Sequence, residues 1–349
     1  MKNILITGGA GFIGSHICLS LLEEKYNIYI ADNFSNSSKK VFDSIRKIMQ
    51  DKYDLNSIGL YIYEGDIRDE SFLKIIFEEA SKKQMPIEGV IHCAGLKAIK
   101  ESISNPLIYW DNNVFGSINL LKVMHQKNCR TILFSSSATV YGDLNQIPFD
   151  EYSILKPNNP YGETKLVVEK ILDNLFNSKI NKWRVGYLRY FNPIGAHPSG
   201  LIGENPSCEP ENIFPHICQV AAGLREKLYI FGNDWSTSDG TCHRDYLHIV
   251  DLATAHKKSI EVLFSKASSK LILNVGTGKS NSVLDLINTF EKVNKVKINY
   301  EFTSRRDGDI ERSLAKTDKM IKILKWKPER NIEDMCKDGW RWQKRIINL

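Results

Sequence analysis

Short apolar runs alternate with longer stretches of helical apolar spacing through the first half of the chain. The short runs, rich in β-branched residues, lie at 3–7, 28–32, 60–64, 89–93, 131–137 and 184–190. The stretches with helical spacing lie at 12–25, 38–50, 70–83, 104–126 and 161–177. Strands that alternate with helices in this way form a parallel sheet through right-handed crossovers. Because the strands are nearly all apolar, the pattern predicts helices on both sheet faces, a doubly wound α/β fold.

The composition and the apolar periodicity of the chain change after about residue 190. Residues 191–248 are rich in Pro, Gly and Asn and carry only short periodic pieces, which is typical of loops. Helical spacing returns at 250–265, a buried strand that rejoins the sheet is predicted at 271–275, and the chain ends in helices around Met320, Ile323, Leu324 and Trp340. We predict a sheet domain of residues 1–190 with about 248–275, and a smaller, loop-rich α/β domain of 191–247 with 276–349.

Charge excludes one class of partner. Lys and Arg total 47 and Asp and Glu total 41, a formal charge of +6, and the basic residues form only short pairs typical of a solvated surface. No basic stripe interleaves with aromatic residues, so the sequence does not predict nucleic-acid binding. The mild positive excess suits a substrate that carries phosphates.

The cysteine spacing and the first residues of the sequence indicate in which cellular compartment the protein is expected. Seven cysteines lie at 18, 93, 129, 208, 218, 242 and 336 without a C-x-x-C pair, so neither a disulfide framework nor a zinc site is predicted. No His, Cys and carboxylate set has metal-ligand spacing, and no metal is expected. The sequence opens directly on an apolar strand, and no apolar run approaches the roughly 20 residues of a membrane span. We expect a soluble, cytoplasmic protein.

Glycines at 8, 11 and 14 follow the first predicted strand and open the first predicted helix. The missing side chains permit a tight turn and let backbone N–H groups reach a pyrophosphate at the helix N-terminus. Alone, such a turn is a weak signal, but the strand before it and the helix after it complete the Rossmann pattern. Asp32 ends the second strand, where a carboxylate accepts hydrogen bonds from a ribose diol and repels a 2′-phosphate. The sequence therefore predicts a Rossmann-type domain that binds NAD rather than NADP.

Later strand ends carry further polar or small residues. Asp66 follows the third strand and either accepts from an adenine amino group or caps the strand end. Ala94 and Gly95 follow the fourth strand, where small residues let the backbone pass close to a cofactor. Asn112 and Asn113 interrupt a helical stretch, which predicts a polar task for at least one of them.

The chemistry-bearing side chains follow the fifth strand. Ser137 is the last of three serines at its end, and ligands of doubly wound sheets bind beyond such carboxyl ends. Tyr161 and Lys165 are four residues apart, hence on one helix face. A lone pair at this spacing is often only a surface pair, but here a dinucleotide turn and a serine accompany it. Lys165 and an oxidised nicotinamide, both positive, would lower the pKa of Tyr161 toward neutrality, so that it serves as a general base.

Together these residues resemble the extended short-chain dehydrogenase/reductases, and more closely the UDP-glucose (UDP-galactose) 4-epimerases and UDP-N-acetylglucosamine 4-epimerases. The stretches that carry the resemblance are 7–16, 64–68, 94–98, 135–142, 188–200, 230–234 and 244–246. They span nearly the whole chain. The Asn-Pro-x-Gly-Ala-His-Pro block at 192–198 and the Ile-Phe-Gly-Asn-Asp block at 230–234 are specific to this branch.

The resemblance implies that Tyr161 takes the proton from the sugar 4-hydroxyl while hydride passes from C4 to NAD. The 4-keto sugar then turns over and receives the hydride on its other face. Ser137 would orient the 4-oxygen, and Lys165 would hold the nicotinamide ribose. The implied cofactor contacts are Gly8, Gly11, Phe12, Ile13, Gly14, Asp32, Asn33, Asn36, Ser37, Asp66, Ile67, Cys93, Ala94, Gly95, Lys97, Asn112, Ser137, Tyr161, Lys165 and Phe191. The implied UDP-sugar contacts are Lys97, Ser137, Tyr161, Asn192, Asn212, Ile213, Tyr229, Phe231, Arg244, Tyr246, Arg306, Asp309 and Ser313.

The same resemblance implies that the sheet domain holds NAD and the smaller domain the UDP-sugar. It also implies a homodimer formed through helices near 104–126 and 161–177. The guanidinium groups of Arg244 and Arg306 suit phosphate oxygens, although each residue could instead form a surface ion pair.

Three positions depart from the family pattern. Cys93 replaces an aromatic residue common beside the cofactor, and Glu211 replaces an asparagine common in the uracil-binding segment. Ser313 replaces the large tyrosine of bacterial glucose-type enzymes, which predicts room for a 2-acetamido group unless Ser313 is merely a surface loop residue.

Two alternative functions share the fold. A sugar-nucleotide 4,6-dehydratase needs an added acid and base just after the strand-five hydroxyl, where this chain has Ala138 and Thr139. A non-enzymatic NAD-sensing protein has no need for the serine, tyrosine and lysine that this chain retains. Both alternatives are therefore disfavoured.

Overall fold

The computed structural model describes residues 2–50, 53, 59–143, 146–178, 182–207, 209–306 and 308–348. Its strands are β1 (Asn3–Thr7), β2 (Asn27–Asp32), β3 (Leu60–Glu64), β4 (Gly89–His92), β5 (Thr131–Ser135), β6 (Arg184–Tyr190), β7 (Asn192–Ile194), β8 (Leu228–Phe231), β9 (His243–Arg244), β10 (Tyr246–His248), β11 (Ser269–Val275), β12 (Asn281–Ser282), β13 (Tyr300–Thr303) and β14 (Arg312–Ser313). Its α-helices are α1 (Phe12–Leu22), α2 (Lys40–Gln50), α3 (Glu70–Lys82), α4 (Ile99–Ser104), α5 (Pro106–Tyr109), α6 (Gly116–Gln126), α7 (Pro160–Asn177), α8 (Ile213–Ala221), α9 (Ile249–Phe264), α10 (Val283–Asn294), α11 (Asp318–Leu324) and α12 (Ile332–Ile346).

Seven strands form one sheet in the order β11-β6-β5-β4-β1-β2-β3. Every neighbouring pair in this sheet is parallel. β11 rejoins the sheet beside β6, with Val275 opposite Tyr190. The strand order reverses at β1, and the two halves of the sheet run outward from it. The predicted doubly wound parallel sheet is confirmed, and so is the return of the strand near 271–275.

Side chains alternate between two helical layers because successive residues of a strand point to opposite faces. Ile4 and Ile6 of β1 belong to an apolar cluster with residues of α1, α2, α9 and α11. Leu5, between them, belongs to a second cluster with residues of α3, α6 and α7. Both faces of the inner strands are therefore buried, which is why those strands are mostly apolar.

A third apolar cluster lies in the later part of the chain. It joins residues of α8, α10 and α12 with β8 and β10. Phe290 lies at its centre, with ring centroids 6.1 Å from Phe214 and 5.9 Å from Trp340, both edge-on. Small sheets flank this cluster, with β9 between β12 and β14, β7 beside β10, and β8 beside β13.

The structure differs from the predicted elements in three places. The helix expected at 104–126 is divided into α4, α5, a π-helical turn at Trp110–Phe115, and α6. The fifth strand ends at Ser135, and a 3₁₀ turn at Ala138–Tyr141 follows. The segment 191–248, expected to be mostly loop, holds α8, and α10 follows unpredicted at Val283–Asn294.

The six described cysteines carry free thiols, and Cys208 lies outside the described residues. Within the described ranges no helix has the length and apolarity needed to cross a membrane.

Candidate active site

The predicted cofactor contacts follow the carboxyl ends of successive parallel strands. Residues 8–14 follow β1, 32–37 follow or end β2, and 66–67 follow β3. Residues 93–97 follow β4, Ser137 follows β5 and Phe191 follows β6. Because these strands are parallel, their carboxyl ends meet at one edge of the sheet. The structure therefore brings these residues to one cleft edge.

The glycine turn packs so closely that side chains would not fit at Gly8 or Gly14. Gly8 has φ +68°, and a Cβ there would lie 2.7 Å from the backbone nitrogen of Ala94. A Cβ on Gly14 would lie 2.2 Å from the carbonyl oxygen of Gly8. Gly11 is the N-cap of α1 and supplies no side-chain cap. The first turn of α1 thus presents backbone N–H groups that have no partner within the helix.

Asp32 links the glycine turn to the loop that follows β2. Its Oδ2 accepts a hydrogen bond from the Ala10 N–H at 2.9 Å, and its Oδ1 accepts from the Phe34 N–H and the Ser37 hydroxyl. The residue is only 8% exposed. A carboxylate offers about four acceptor positions, so this one is already largely hydrogen-bonded. It lies where the sequence predicts the ribose contact.

Asp66 belongs to an exposed network on the same edge. The guanidinium of Arg68 donates to both its carboxylate oxygens, at 3.0 and 2.7 Å, and the Asn33 amide donates at 3.3 Å. These hydrogen bonds, that of Arg68 foremost, hold the pKa of Asp66 below its usual range. Arg68 also donates to Asp111, so the adenine contact proposed for Asp66 would form beside an existing ion pair.

A buried chain of hydrogen bonds runs behind the cofactor edge. The Thr7 hydroxyl and His92 Nδ1 lie 2.7 Å apart, and His92 Nε2 lies 2.8 Å from the Ser117 hydroxyl. Burial lowers the pKa of His92 to about 3, so the ring is neutral. The Asn113 amide donates to the Leu96 carbonyl and to the Thr164 hydroxyl.

The polar role predicted for this pair of asparagines is therefore filled by Asn113, and it is structural: its amide connects Leu96 to Thr164 on α7. Its neighbour Asn112, the predicted cofactor contact, is half-buried in the π-helical turn. Such turns frequently lie at functional sites, since they re-aim side chains.

Ser137, Tyr161 and Lys165 meet between β5 and α7. Asn159 caps α7 by accepting from the Gly162 N–H at 2.9 Å, and Tyr161 lies in the first turn that follows. The Lys165 ammonium donates to the Ser135 carbonyl at 3.0 Å and lies 5.8 Å from the centre of the Tyr161 ring. The Ser137 hydroxyl accepts from the Thr139 N–H at 3.2 Å, and it lies close enough to the Tyr161 phenol to lower the pKa of that group.

Burial acts on the pKa values of both Tyr161 and Lys165 in the protein alone. Burial raises the pKa of Tyr161 above its usual value, while the Ser137 hydrogen bond and the charge of Lys97 lower it. Burial lowers the pKa of Lys165 to about 8, and the charge of Glu169 opposes that shift. Desolvation of the phenolate therefore outweighs the nearby cations in the protein alone, and the predicted drop in the Tyr161 pKa, which includes the charge of an oxidised nicotinamide, stays a prediction.

The residues expected to bind a uridine diphosphate lie together on the later part of the chain. Arg244 on β9 and Ser313 on β14 are register partners. Arg244 lies 3.7 Å from Asp309, and Arg306 donates to the same carboxylate at 2.9 Å. Arg306 also lies 5.4 Å from the centre of the exposed Phe231 ring. The structure therefore joins two guanidinium groups and an aromatic ring around one carboxylate.

A second group connects the cofactor edge to α8. Glu204 Oε1 accepts from Lys97 at 2.9 Å and from the Asn212 amide at 3.3 Å. Glu211 accepts from the backbone N–H of Ile99 at 2.8 Å, at the N-terminus of α4. Glu211, flagged by sequence as a departure, is thus a helix cap, and sequence reasoning missed Glu204 entirely.

The remaining predicted substrate contacts are dispersed. Asn192 on β7 pairs with Tyr246 on β10, and Ile213 begins α8. Tyr229 is exposed on β8, two residues before Phe231. Tyr246 is only 2% exposed and belongs to the third apolar cluster, so its side chain is not part of the exposed arginine group. Within the described ranges no three His, Cys, Asp or Glu side chains form a group that could hold a metal.

Sequence and structure comparisons identify the family. A family model described as GDP-mannose 4,6 dehydratase matches residues 5–339. The UDP-glucose 4-epimerase of Bacillus subtilis is 44% identical over 345 residues, covering 99% of this chain and 98% of its own length. The chain belongs to the UDP-glucose 4-epimerase family. The predicted resemblance and the isomerase class that follows from it are confirmed at the level of the family.

Solved structures of this epimerase family agree with the fold. The UDP-glucose 4-epimerase of Stenotrophomonas maltophila, with bound NAD and formylated UDP-arabinopyranose, has a TM-score of 0.93 and 40% identity, covering 100% of this chain and 99% of its own. The UDP-Glc/GlcNAc 4-epimerase of Campylobacter jejuni has a TM-score of 0.82 and 31% identity, covering 99% and 100%. The family model's description names a dehydratase, but Ala138 and Thr139 lie where that reaction needs its acid and base.

Proposed function

We propose that this chain interconverts UDP-hexoses that differ in configuration at C4, with NAD as its cofactor. The observation that carries the proposal is the meeting of Ser137, Tyr161 and Lys165 at the same sheet edge as the glycine turn. A phenol with a hydroxyl and an ammonium nearby suits removal of a hydroxyl proton. The solved relative that holds NAD and a UDP-linked sugar supports the same assignment.

The glycine turn fits a dinucleotide. The absent side chains at Gly8, Gly11 and Gly14 leave the first turn of α1 open to pyrophosphate oxygens, and Asp32 lies beside it. We infer that these four residues hold the cofactor, with the carboxylate disfavouring a 2′-phosphate. Bound there, the cofactor would supply an acceptor for the hydride of the sugar C4 and the donor that returns it.

The protein side chains handle the proton. Ser137 orients the sugar 4-oxygen, because its hydroxyl lies within hydrogen-bonding reach of the Tyr161 phenol. Tyr161 takes the proton of the 4-hydroxyl and gives it back to the same oxygen after the keto sugar has turned. Since burial raises the pKa of Tyr161, the phenolate needs nearby positive charge, which Lys97 supplies, and the Lys165 ammonium lies 5.8 Å from the ring centre.

The arginine group is the proposed UDP site. Arg244 and Arg306 present two guanidinium groups whose fork geometry suits diphosphate oxygens. Asp309 holds both in place, and the exposed Phe231 ring provides an apolar face for the base. Asn212 and Asn192 are proposed as further contacts to the sugar nucleotide.

The sugar specificity is proposed to be broad. Ser313 is the register partner of Arg244 and has a small side chain, which leaves volume for a 2-acetamido group when the keto sugar rotates. We therefore propose that UDP-N-acetylglucosamine and UDP-N-acetylgalactosamine are substrates beside UDP-glucose and UDP-galactose.

We also propose which ligand each domain binds and how the protein assembles. Residues 1–190 with 248–275 are assigned to NAD, and 191–247 with 276–349 to the UDP-sugar; α8, α10 and α12 share an apolar cluster of their own, whereas α11 packs with the sheet. Ile103, Leu107, Ile108 and Phe115, on or beside α4 and α5, are exposed apolar residues suited to a homodimer contact. The free thiols suit the reducing cytoplasm.

The test is an assay of the purified wild type with UDP-linked glucose, galactose, N-acetylglucosamine and N-acetylgalactosamine. We expect each to convert to its C4 epimer with no net formation of NADH. A dehydrated 4-keto product would instead indicate a 4,6-dehydratase. NAD binding without turnover of any of the four would indicate a sensing protein.

A further inference from the structure

Three successive serines, the last residue of β5 and the two that follow it, contact three successive turns of α7. The pairs are Ser137–Tyr161, Ser135–Lys165 and Ser136–Glu169. The contacted residues of α7 are spaced by four, so they lie on one face of the helix. The third pair is a hydrogen bond of 2.5 Å from the Ser136 hydroxyl to a carboxylate oxygen of Glu169. The proposed chemistry assigns roles to the first two pairs and none to the third.

Glu169 is part of a buried ion pair. The Nε of Arg189 on β6 donates to both Glu169 oxygens, at 3.0 and 3.2 Å, and its Nη2 donates at 2.6 Å. Each residue is 2% exposed. Arg189 Nη1 donates to the Tyr141 hydroxyl and the Glu151 carbonyl, so the guanidinium is anchored on its other side. Buried ion pairs of this kind are weak contributors to stability, which leaves room for another role.

Several ionisable groups from different elements influence Lys165 or lie around it. They are Tyr161 and Glu169 on α7, His92 and Cys93 at the end of β4, and His256 on α9, which bonds to Ser135. Burial keeps His92 and His256 neutral, with pKa values lowered to about 3 and about 4. Burial also raises the pKa of Cys93, to about 11, so this thiol is neutral near pH 8. Glu169, one turn from Lys165 on the same face of α7, is therefore the negatively charged group of this set and favours the ammonium form of Lys165.

We propose that Glu169 is a positioning residue of the active site, whose buried carboxylate keeps the Lys165 ammonium in place behind Tyr161 and ties α7 to the serine turn. This inference rests on the proposed function, because it assigns Glu169 a part in readying Tyr161 for proton transfer. Arg189 in turn fixes the carboxylate, so that it faces Ser136 and its own helix.

The direct test is Glu169→Gln, with the pH dependence of kcat as the readout. Burial already lowers the pKa of Lys165 to about 8, and the Glu169 charge raises it. Without that charge the pKa of Lys165 falls further, so the ammonium is lost at lower pH. We expect the alkaline limb of the profile to move down by about one pH unit, the low end for a close opposite charge. The resonance of the Lys165 side chain, assigned with Lys165→Met, should titrate with the same shift.

Two further variants make the result decisive. Glu169→Gln leaves the Arg189 guanidinium buried without its counterion, which destabilises the fold. The double variant Glu169→Gln with Arg189→Met removes both charges of the pair, and we expect a smaller shift of the alkaline limb in the same direction. Asp173→Asn is the matched control, since Asp173 lies one turn further along α7 and pairs with Lys270. Its profile should match that of the wild type.

The outcomes separate the two proposals. If the wild type and Asp173→Asn do not epimerise UDP-sugars, the proposed function fails. If they do, and both Glu169 variants keep the wild-type alkaline limb and Lys165 titration, the pair is merely structural and the inference is overturned. Failure of both variants to fold assigns the pair to stability alone and also overturns it.

Discussion

The variant Gly11→Ala tests whether Gly11 is needed for cofactor binding rather than for folding. Gly11 has φ −70° and ψ 172°, an extended conformation that alanine adopts without strain. An added Cβ would lie 3.4 Å from the Gly8 carbonyl oxygen, an ordinary contact. At a compatible site the change stabilises by about 0.4–1 kcal/mol, and the poorer N-cap costs a similar amount. The cofactor-free protein should therefore change in stability by less than about 1 kcal/mol.

The same methyl group would occupy space over the first turn of α1, where the pyrophosphate is proposed to bind. Overpacking of a close contact costs about 1–3 kcal/mol. At about 1.4 kcal/mol per tenfold change, NAD affinity should fall by about 5-fold to 150-fold. Gly14→Ala is the matched control, because its Cβ would lie 2.2 Å from the Gly8 oxygen and 2.7 Å from the Gly9 Cα. Backbone cannot yield there, so that variant should lose stability with or without NAD.

Thermal unfolding of the cofactor-stripped proteins and calorimetric titration with NAD measure the two effects. We expect Gly11→Ala to keep the wild-type melting temperature within about 2 °C and to bind NAD weakly. Wild-type NAD affinity in Gly11→Ala would refute the placement of the pyrophosphate. A melting temperature as low as that of Gly14→Ala would show that Gly11 serves the fold instead.

Three further predictions concern the reaction and its specificity. Tyr161→Phe should lower kcat by about 100-fold or more while NAD remains bound, and near-normal turnover would remove Tyr161 from its role as base. Cofactor released from the denatured wild type should be NAD or NADH, and Asp32→Ala should narrow the preference for NAD over NADP in competition binding; mainly NADP in the wild type would contradict the role of Asp32. Ser313→Tyr should cut kcat/KM for UDP-N-acetylglucosamine by about tenfold or more and spare UDP-glucose, whereas equal activities in the variant would show that Ser313 is no gate.

The sheet could be predicted because the apolar composition of its strands indicates burial on both faces. β1 and its neighbours are apolar on both faces, and only a covered parallel sheet accommodates that pattern. The break in the expected helix at 104–126 left little trace, because a π-helical turn adds one residue and the apolar spacing continues on either side. Pro106, which opens α5, is the signal that marks the break. Ser282 and Asp285 form the capping box that opens α10, and this spacing in the sequence is a second signal, one that marks the start of a helix.

The site was predictable where chemistry depends on spacing along one element. Tyr161 and Lys165 share a helix, so their separation of one turn follows from the sequence. Glu169 shares that spacing too, but its partner Arg189 comes from another strand, and no local pattern joins them. Glu204 is invisible for the same reason, since Lys97 and Asn212 approach it from distant segments.

The last strand of the central sheet is encoded after the whole loop-rich segment. During synthesis from the N-terminus, β6 leaves the ribosome long before β11, and its outer edge has no strand to pair with until Val275 has emerged. An unpaired apolar edge is where nascent chains join wrongly to one another. Residues 191–248 are therefore synthesised before the sheet can be completed. A chain that is truncated within this segment lacks β11 and leaves the edge of β6 unpaired.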